Sequence, residues 1–342
     1  MDIEFHYYMT YLTATRAGFS PLDAETLAYS SQYVDENSQI LHIDRGKPTA
    51  YHNYITQTLN ILKPRHELMR IYPIFHFIPG DPLSPTAQRK DGRQHPLNTT
   101  PNSVNANLIF DDALRSGNLY RIGIAAHSYV DTWAHQNFVG YYNSFNAMQG
   151  MLSKTLPNIG HADAKHKPDW PALVWLDNRL IEANEVVNNS RRFMDAAKHL
   201  FYKLRRCVDP RCPETTIQEE FQQLRRDLLT AIGQPDGTNM YQAERTQRYY
   251  TLSHYDVYGG RPLPPFDEKK WFEQAIHRTI RGLSDNHKIL AKLDPLKDKY
   301  SWKENYQDSH WYQFQEAVKE QQARALDILK ERVFDDITLE HF

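Results

Sequence analysis

Three side chains able to bind a metal recur at four-residue intervals in Gly123-Ile-Ala-Ala-His127-Ser-Tyr-Val-Asp131-Thr-Trp-Ala-His135-Gln-Asn-Phe138. On a helix of 3.6 residues per turn, each step of four advances a side chain only about 40° round the axis, so His127, Asp131 and His135 stack along one stripe. The intervening Ala125, Ala126, Tyr129, Val130, Trp133 and Ala134 suit a helix buried in a larger bundle. Two imidazoles and a carboxylate in such a place need partners. A divalent cation is the simplest, and hydrogen bonds from neighbouring helices are the alternative.

Further candidates lie along the first half of the chain. His6 and Asp35, in Tyr33-Val-Asp35, read singly as a core histidine and a solvated helix-end acid. His76 stands between Phe75 and Phe77, where rings fix a ligand's rotamer or bury a core histidine. Gly160-His161-Ala-Asp163-Ala-Lys-His166-Lys-Pro-Asp169 is a second concentration of donors. Sixteen histidines in 342 residues is a compositional hint of the same chemistry.

The elements that must position these groups are helical. Ser20-Pro21-Leu-Asp23 caps a helix running to about Val34, after a first helix over about Glu4 to Arg16. Thr49 to Thr58 alternates loosely enough for a strand or an extended segment. Pro73 to Pro101 is a proline-rich loop of a length usually found in lids and binding segments. Asn102-Ser103 caps a helix to about Arg115, and Ser116-Gly117-Asn118 separates it from the His127 helix, which begins near Leu119. A long helix is expected from Trp170-Pro171 to about Arg206, then helices near Glu214 to Ile232, Met240 to Tyr255, Asp267 to Lys292 and Gln307 to Asp336. The fold class is mainly α. The expected organisation is a metal-binding helical core over 1–206, with the long loop at 73–101, and a C-terminal helical extension over 207–342 packed on it as one compact unit.

Composition narrows the function. Forty basic and 42 acidic side chains nearly cancel, which gives no nucleic-acid footprint and no acidic tail. Cys207 and Cys212 match no paired zinc-knuckle spacing and read as free thiols in a reducing compartment. The N-terminus lacks a signal-peptide pattern, so a cytoplasmic location is expected, and no run of about 18 apolar residues suits a membrane span. No Gly-rich phosphate loop, Gly-x-Ser-x-Gly elbow or His-Glu-x-x-His motif is present.

In order, His6, Asp35, His76, His127-x-x-x-Asp131, His135 and His161 resemble the bacterial zinc-dependent phospholipase C and single-strand nuclease superfamily. The likeness is carried by Tyr33-Val-Asp35, His76-Phe77, Ala126-His127-Ser-Tyr-Val-Asp131 and Ile159-Gly160-His161, all in the first half. It implies an all-helical bundle around a zinc cluster, with His6, Asp35, His76, His127, Asp131, His135, His161 and Asp163 as metal ligands. It also implies that Asp35 both binds metal and orients the water that attacks a phosphodiester. Three departures qualify the pattern. The superfamily often uses a processed N-terminal amine, whereas this chain opens on Met1, leaving Asp2 to substitute or that site to be lost. The step from Asp131 to His135 is short. The position four beyond His161 is Lys165, so the last carboxylate must be Asp163 or Asp169 if there is one. One to three zinc ions are therefore expected, with donors at about 2.0–2.2 Å.

The substrate is less determined. A small-molecule or lipid-like phosphoester fits; nucleic acid is permitted by the tyrosines and by Arg89, Lys90 and Arg93 in the long loop, but is not demanded. The alternatives are a non-catalytic helical protein with a residual structural metal site, and a partner-binding scaffold using the charged C-terminal helices.

Overall fold

Capping chemistry sets the helices that frame the donors. The computed structural model describes residues 1–58, 68–148, 159–279 and 299–334. A π-helical turn (Glu4–Met9) runs into α1 (Thr10–Arg16). Ser20 accepts the Asp23 N–H at 3.2 Å and, with Pro21 at the first position, starts α2 (Pro21–Glu36). Two short strands, β1 (His42–Ile43) and β2 (Tyr51–His52), precede α3 (Tyr72–Phe75) and the long loop. Ser103 caps α4 (Val104–Ser116), which Gly117 closes in the left-handed conformation at φ 66°. Asn118 then caps α5 (Leu119–Ala134), the helix of the metal-binding stripe.

Beyond it the chain forms β3 (Val174–Leu176), α6 (Glu182–Glu185), β4 (Val186–Asn188), α7 (Asn189–Val208), α8 (Glu214–Ile232) and α9 (Gln242–Ser253). α10 (Lys270–Ala275), β5 (Ile276–Thr279), β6 (Lys299–Trp302), α11 (His310–Leu329) and a π-helical turn (Lys330–Phe334) follow. The architecture is mainly helical, with a small sheet in the order β2-β1-β6-β5 and a β3–β4 hairpin. β1 pairs antiparallel with β2 (Ile43 opposite Tyr51) and parallel with β6 (Ile43 opposite Tyr300).

Two expectations are corrected. The helix expected from Trp170 to Arg206 begins only at Asn189, because 174–188 form the hairpin. Trp175 and Val187 are buried while Val174, Leu176 and Val186 are exposed, a period of two rather than 3.6. The helix expected over Asp267 to Lys292 is short, since Ile276–Thr279 pairs with β6 instead; its remainder from 280 lies outside the described residues, as do 335 and 336 at the end of the last helix. The loop from Pro73 to Pro101 is pinned against the hairpin segment, with Lys90 N–H on the Arg179 carbonyl at 3.0 Å and Ile181 N–H on that of Gln88 at 3.2 Å.

One hydrophobic cluster extends from Met1 and Phe5 through Val130 and Phe193 to Trp311 and Leu329, so both halves of the chain share a core. α5 lies at its centre and meets α2 at Gly123. A Cβ there would stand 2.4 Å from the Leu27 carbonyl oxygen and 2.5 Å from the Ser30 Cβ, which only glycine avoids. One turn later comes His127. Just before Gly123, buried Arg121 ties α5 to Asp112 of α4 and, at 2.9 Å, to Glu320 of α11; Arg324 of α11 also reaches Asp112 at 3.0 Å.

Candidate metal centre

Four histidines are locked by backbone carbonyls. A carbonyl oxygen only accepts, so the ring nitrogen facing it carries the proton and the other nitrogen presents its lone pair. His127 Nδ1 donates to the Ser31 oxygen at 2.8 Å, His135 Nδ1 to that of His76 at 2.8 Å, and His161 Nδ1 to that of Lys165 at 2.7 Å. His76 is reversed, with Nε2 donating to the Thr56 oxygen at 2.9 Å. The Gly123 crossing is what brings the Ser31 carbonyl to His127.

The lone pairs converge. His127 Nε2 and His76 Nδ1 are 3.1 Å apart, and Asp35 Oδ1 is 3.7 Å from the first and 3.8 Å from the second. Two lone pairs at that distance repel unless a cation or a proton joins them. Nitrogens each about 2.0–2.1 Å from one zinc ion, at angles of roughly 90–110°, would stand about 2.8–3.4 Å apart. Burial pushes the His76 pKa down, but Asp131 and Asp35 outweigh it and raise it, so a proton is the competitor for that place.

Asp131 is the hub. Its Oδ2 lies 3.2 Å from His127 Nε2, 3.4 Å from His135 Nδ1 and 3.5 Å from His76 Nδ1, yet accepts no hydrogen bond although it is buried. Its Oδ1 is 3.2 Å from His6 Nε2 and accepts from the Met1 amine. Burial works against a charged amine, but Asp131 and Asp169 prevail and hold the Met1 pKa up at about 10. His6 stacks on His127, with ring centroids 3.8 Å apart, and neither of its nitrogens has a hydrogen-bond partner. Burial, followed by the neighbouring His127, takes its pKa down to about 3, so the ring stands neutral. On the other side, Asp169 reaches His135 Nε2 at 3.5 Å and His161 Nε2 at 3.6 Å, again with a buried oxygen that accepts no hydrogen bond.

Among the described residues, three groups could each hold a metal ion: His6, His127 and Asp131; Asp35, His76 and His127; His135, His161 and Asp169. Orphaned buried polar atoms are costly, and both His6 nitrogens, Asp131 Oδ2 and Asp169 Oδ1 are of this kind within the groups. The residues fit a cation, and a mixed imidazole and carboxylate set suits zinc better than magnesium.

A family model described as a family of unknown function, DUF6765, matches residues 1–329. The chain belongs to that family. No curated protein and no solved structure matches it.

In this DUF6765 protein seven of the eight expected ligands fall within the three groups, and Asp163 does not. The short helical turn Ala162–Ala164 carries Asp163 away to accept the Met148 N–H at 2.8 Å. Lys165, at φ 57°, then reverses the chain and returns Asp169 to His161. Asp2, the expected substitute for an amine, lies outside the groups as well; its Oδ1 accepts the Glu4 N–H at 3.1 Å, while the Met1 nitrogen stands beside Asp131. The aromatic support also differs from expectation. Phe77 stacks on His135 rather than His76, at 4.4 Å between centroids, wedged against Gly140 and Gly160, where added Cβ atoms would come within 2.9 and 2.6 Å of it. Asp35 is the most open carboxylate of the groups, 29% exposed, which makes its end the mouth of the site.

Proposed function

We propose that the protein is a metal-dependent hydrolase, with zinc as its metal, that cleaves a phosphoester through an activated water. The observation that carries this reading is the clustering of three donor groups, two of which share His127 while Asp131 stands 3.4 Å from His135 of the third, with lone pairs facing one another and buried oxygens left without partners. Bound divalent ions supply Lewis-acid polarisation of phosphoryl oxygens and bring the pKa of water towards neutrality. Asp35, 29% exposed at the mouth, accepts a hydrogen bond from the entering water, orients it and takes up its proton as the water oxygen adds to phosphorus and the ester P–O bond breaks, the departing alkoxide taking a proton from solvent. Asp131 and the four clamped histidines hold the donor geometry through that step, and Phe77 keeps solvent from the His135 ring.

The loop cations bear on the substrate class. Arg89 is bidentate to Asp91 at 2.9 Å on both contacts, Lys90 pairs with Glu185 at 2.5 Å, and Arg93 donates to Ser144 at 3.0 Å. Basic groups already engaged in this way do not form a groove for a polynucleotide backbone, which favours a small phosphoester. The reading is tested with a chromogenic phosphodiester such as bis(p-nitrophenyl) phosphate. Turnover should vanish on chelation and return with zinc; a purified, folded protein with no turnover after zinc addition would refute it.

The sealed burial of His6 and Asp131 supports a second reading for that side alone, a structural ion beside a catalytic one that takes the single lone pair of His127. An ion resisting dialysis there while activity is lost and regained with a second, exchangeable ion would identify it.

A further inference from the structure

Two ligand-bearing segments, the turn with Met1 and His6 and the loop with Asp169, are joined through a buried arginine from the C-terminal half of the chain. Glu4 stands two residues before His6 and is fully buried. Both its oxygens accept from Arg245 of α9, Oε2 from Nε and Oε1 from Nη2, each at 2.9 Å. Arg245 Nη1 donates to Asp236 at 3.2 Å, and Nη2 also meets the Asn239 side chain. Asp236 in turn donates its backbone N–H to the Ala172 carbonyl at 3.0 Å, three residues beyond Asp169. The same carboxylate accepts the N–H groups of Thr238 and Tyr241.

One guanidinium thus spans the two strips of backbone that bring Met1, His6 and Asp169 to the centre. A rigid planar fork suits this task, because it fixes direction as well as charge; a lysine ammonium in its place would fix neither contact to two partners at once. Asp35, His76 and His127 are held separately, from α2, from the Thr56 carbonyl and from α5 with Ser31. The two sides of the centre therefore have different supports.

On the metal reading above, we infer that Arg245 is a positioning residue for the Met1, His6 and Asp169 side of the centre, acting through Glu4 and Asp236. The C-terminal half, which contributes no donor to the three groups, sets metal affinity at a distance. Partners of this kind behind metal ligands are typically worth about 10- to 100-fold in affinity.

The test is titration of the metal-free full-length protein with Co²⁺ alone, reading stoichiometry and the visible absorption of the bound ion. Wild type is compared with Arg245→Lys and with the double variant Glu4→Gln/Arg245→Met, which removes the Glu4 and Arg245 charges together and leaves Asp236 the N–H groups of Thr238 and Tyr241. The expected result is a double variant with unchanged far-ultraviolet circular dichroism that binds one class of ion at least about tenfold more weakly, the other class retaining wild-type affinity and spectrum. Arg245→Lys should fall between. Wild-type stoichiometry and affinity in the double variant would overturn the inference. So would unfolding, or weakening of every ion in parallel with a lowered Tm, because either assigns the network to general stability. Failure of the wild type itself to take up Co²⁺ or Zn²⁺ would remove the metal reading, and this inference with it.

Discussion

Asp131 touches more of the centre than any other side chain, with one oxygen facing His127, His135 and His76 and the other facing His6 and the Met1 amine. Asp131→Asn halves that donor capacity and puts an amide N–H among lone pairs. It should lower bound metal, read by elemental analysis, more than any single change in the C-terminal half; equal losses would contradict the hub assignment. Asp35 differs, being open and peripheral. Asp35→Asn is expected to cut turnover of a phosphodiester about 10²-fold or more, with a smaller fall in metal content; a larger fall in metal than in turnover would make Asp35 a ligand without a role in proton transfer. At this scale the sequence discloses the stripe His127, Asp131 and His135, because four-residue spacing on one helix is a local property. Asp169 in place of Asp163 was not decided by spacing. Which acid returns depends on the reversal at Lys165, a non-glycine residue at φ 57°, for which the sequence carries no signal. Nor could sequence reveal that the second nitrogens of four histidines find carbonyls of Ser31, His76, Thr56 and Lys165, since any residue type offers a carbonyl.

Helices bring these residues together by close crossing. The α2–α5 contact at Gly123 sets the distance from Ser31 to His127, so Gly123→Val should cost about 1–3 kcal/mol by overpacking and weaken metal binding as well. A lowered urea midpoint with unaltered metal affinity would separate the crossing from the site. The joint between α4, α5 and α11 can be probed by acid. Hydrogen bonds from Arg324 and Arg121, against the opposing effect of burial, hold the Asp112 pKa down at about 2. A depressed folded-state pKa gives stability that is present above the unfolded value of about 4 and lost as pH falls towards 2. The stability gap between wild type and Asp112→Asn should therefore be constant from pH 7 to pH 5 and narrow below pH 4; a gap that persisted at pH 2 would show that packing, not charge, is responsible. Helix starts at Ser20, Ser103 and Asn118 follow from capping chemistry visible in the sequence. The hairpin at 174–188 was hidden because its strands pair over only three residues each, too short a run for alternation to stand out from a helical pattern, and only the pairing of Trp175 with Val187 discloses it.

At the scale of the molecule, ligands from residue 6 to residue 169 meet inside a core whose cluster runs on to Phe334. The C-terminal helices, read from sequence as an extension packed on the core, bury Trp311, Phe314 and Leu329, supply Arg245 to a buried network and bring Arg324 to Asp112. The DUF6765 match over 1–329 agrees with a unit that includes both halves. No helix among the described residues is long and apolar enough to cross a membrane. An ion that binds only the folded chain should raise its stability, by about 4 kcal/mol when free metal is 1,000-fold above Kd, so Tm should drop on chelation and recover with zinc. The most direct measurement is anomalous scattering at the zinc edge from crystals grown with zinc. Peaks between His76 Nδ1 and His127 Nε2, beside Asp131, and between His135, His161 and Asp169 are expected; an anomalous map with no peak within coordination distance of these nitrogens would contradict the metal centre on which the function rests.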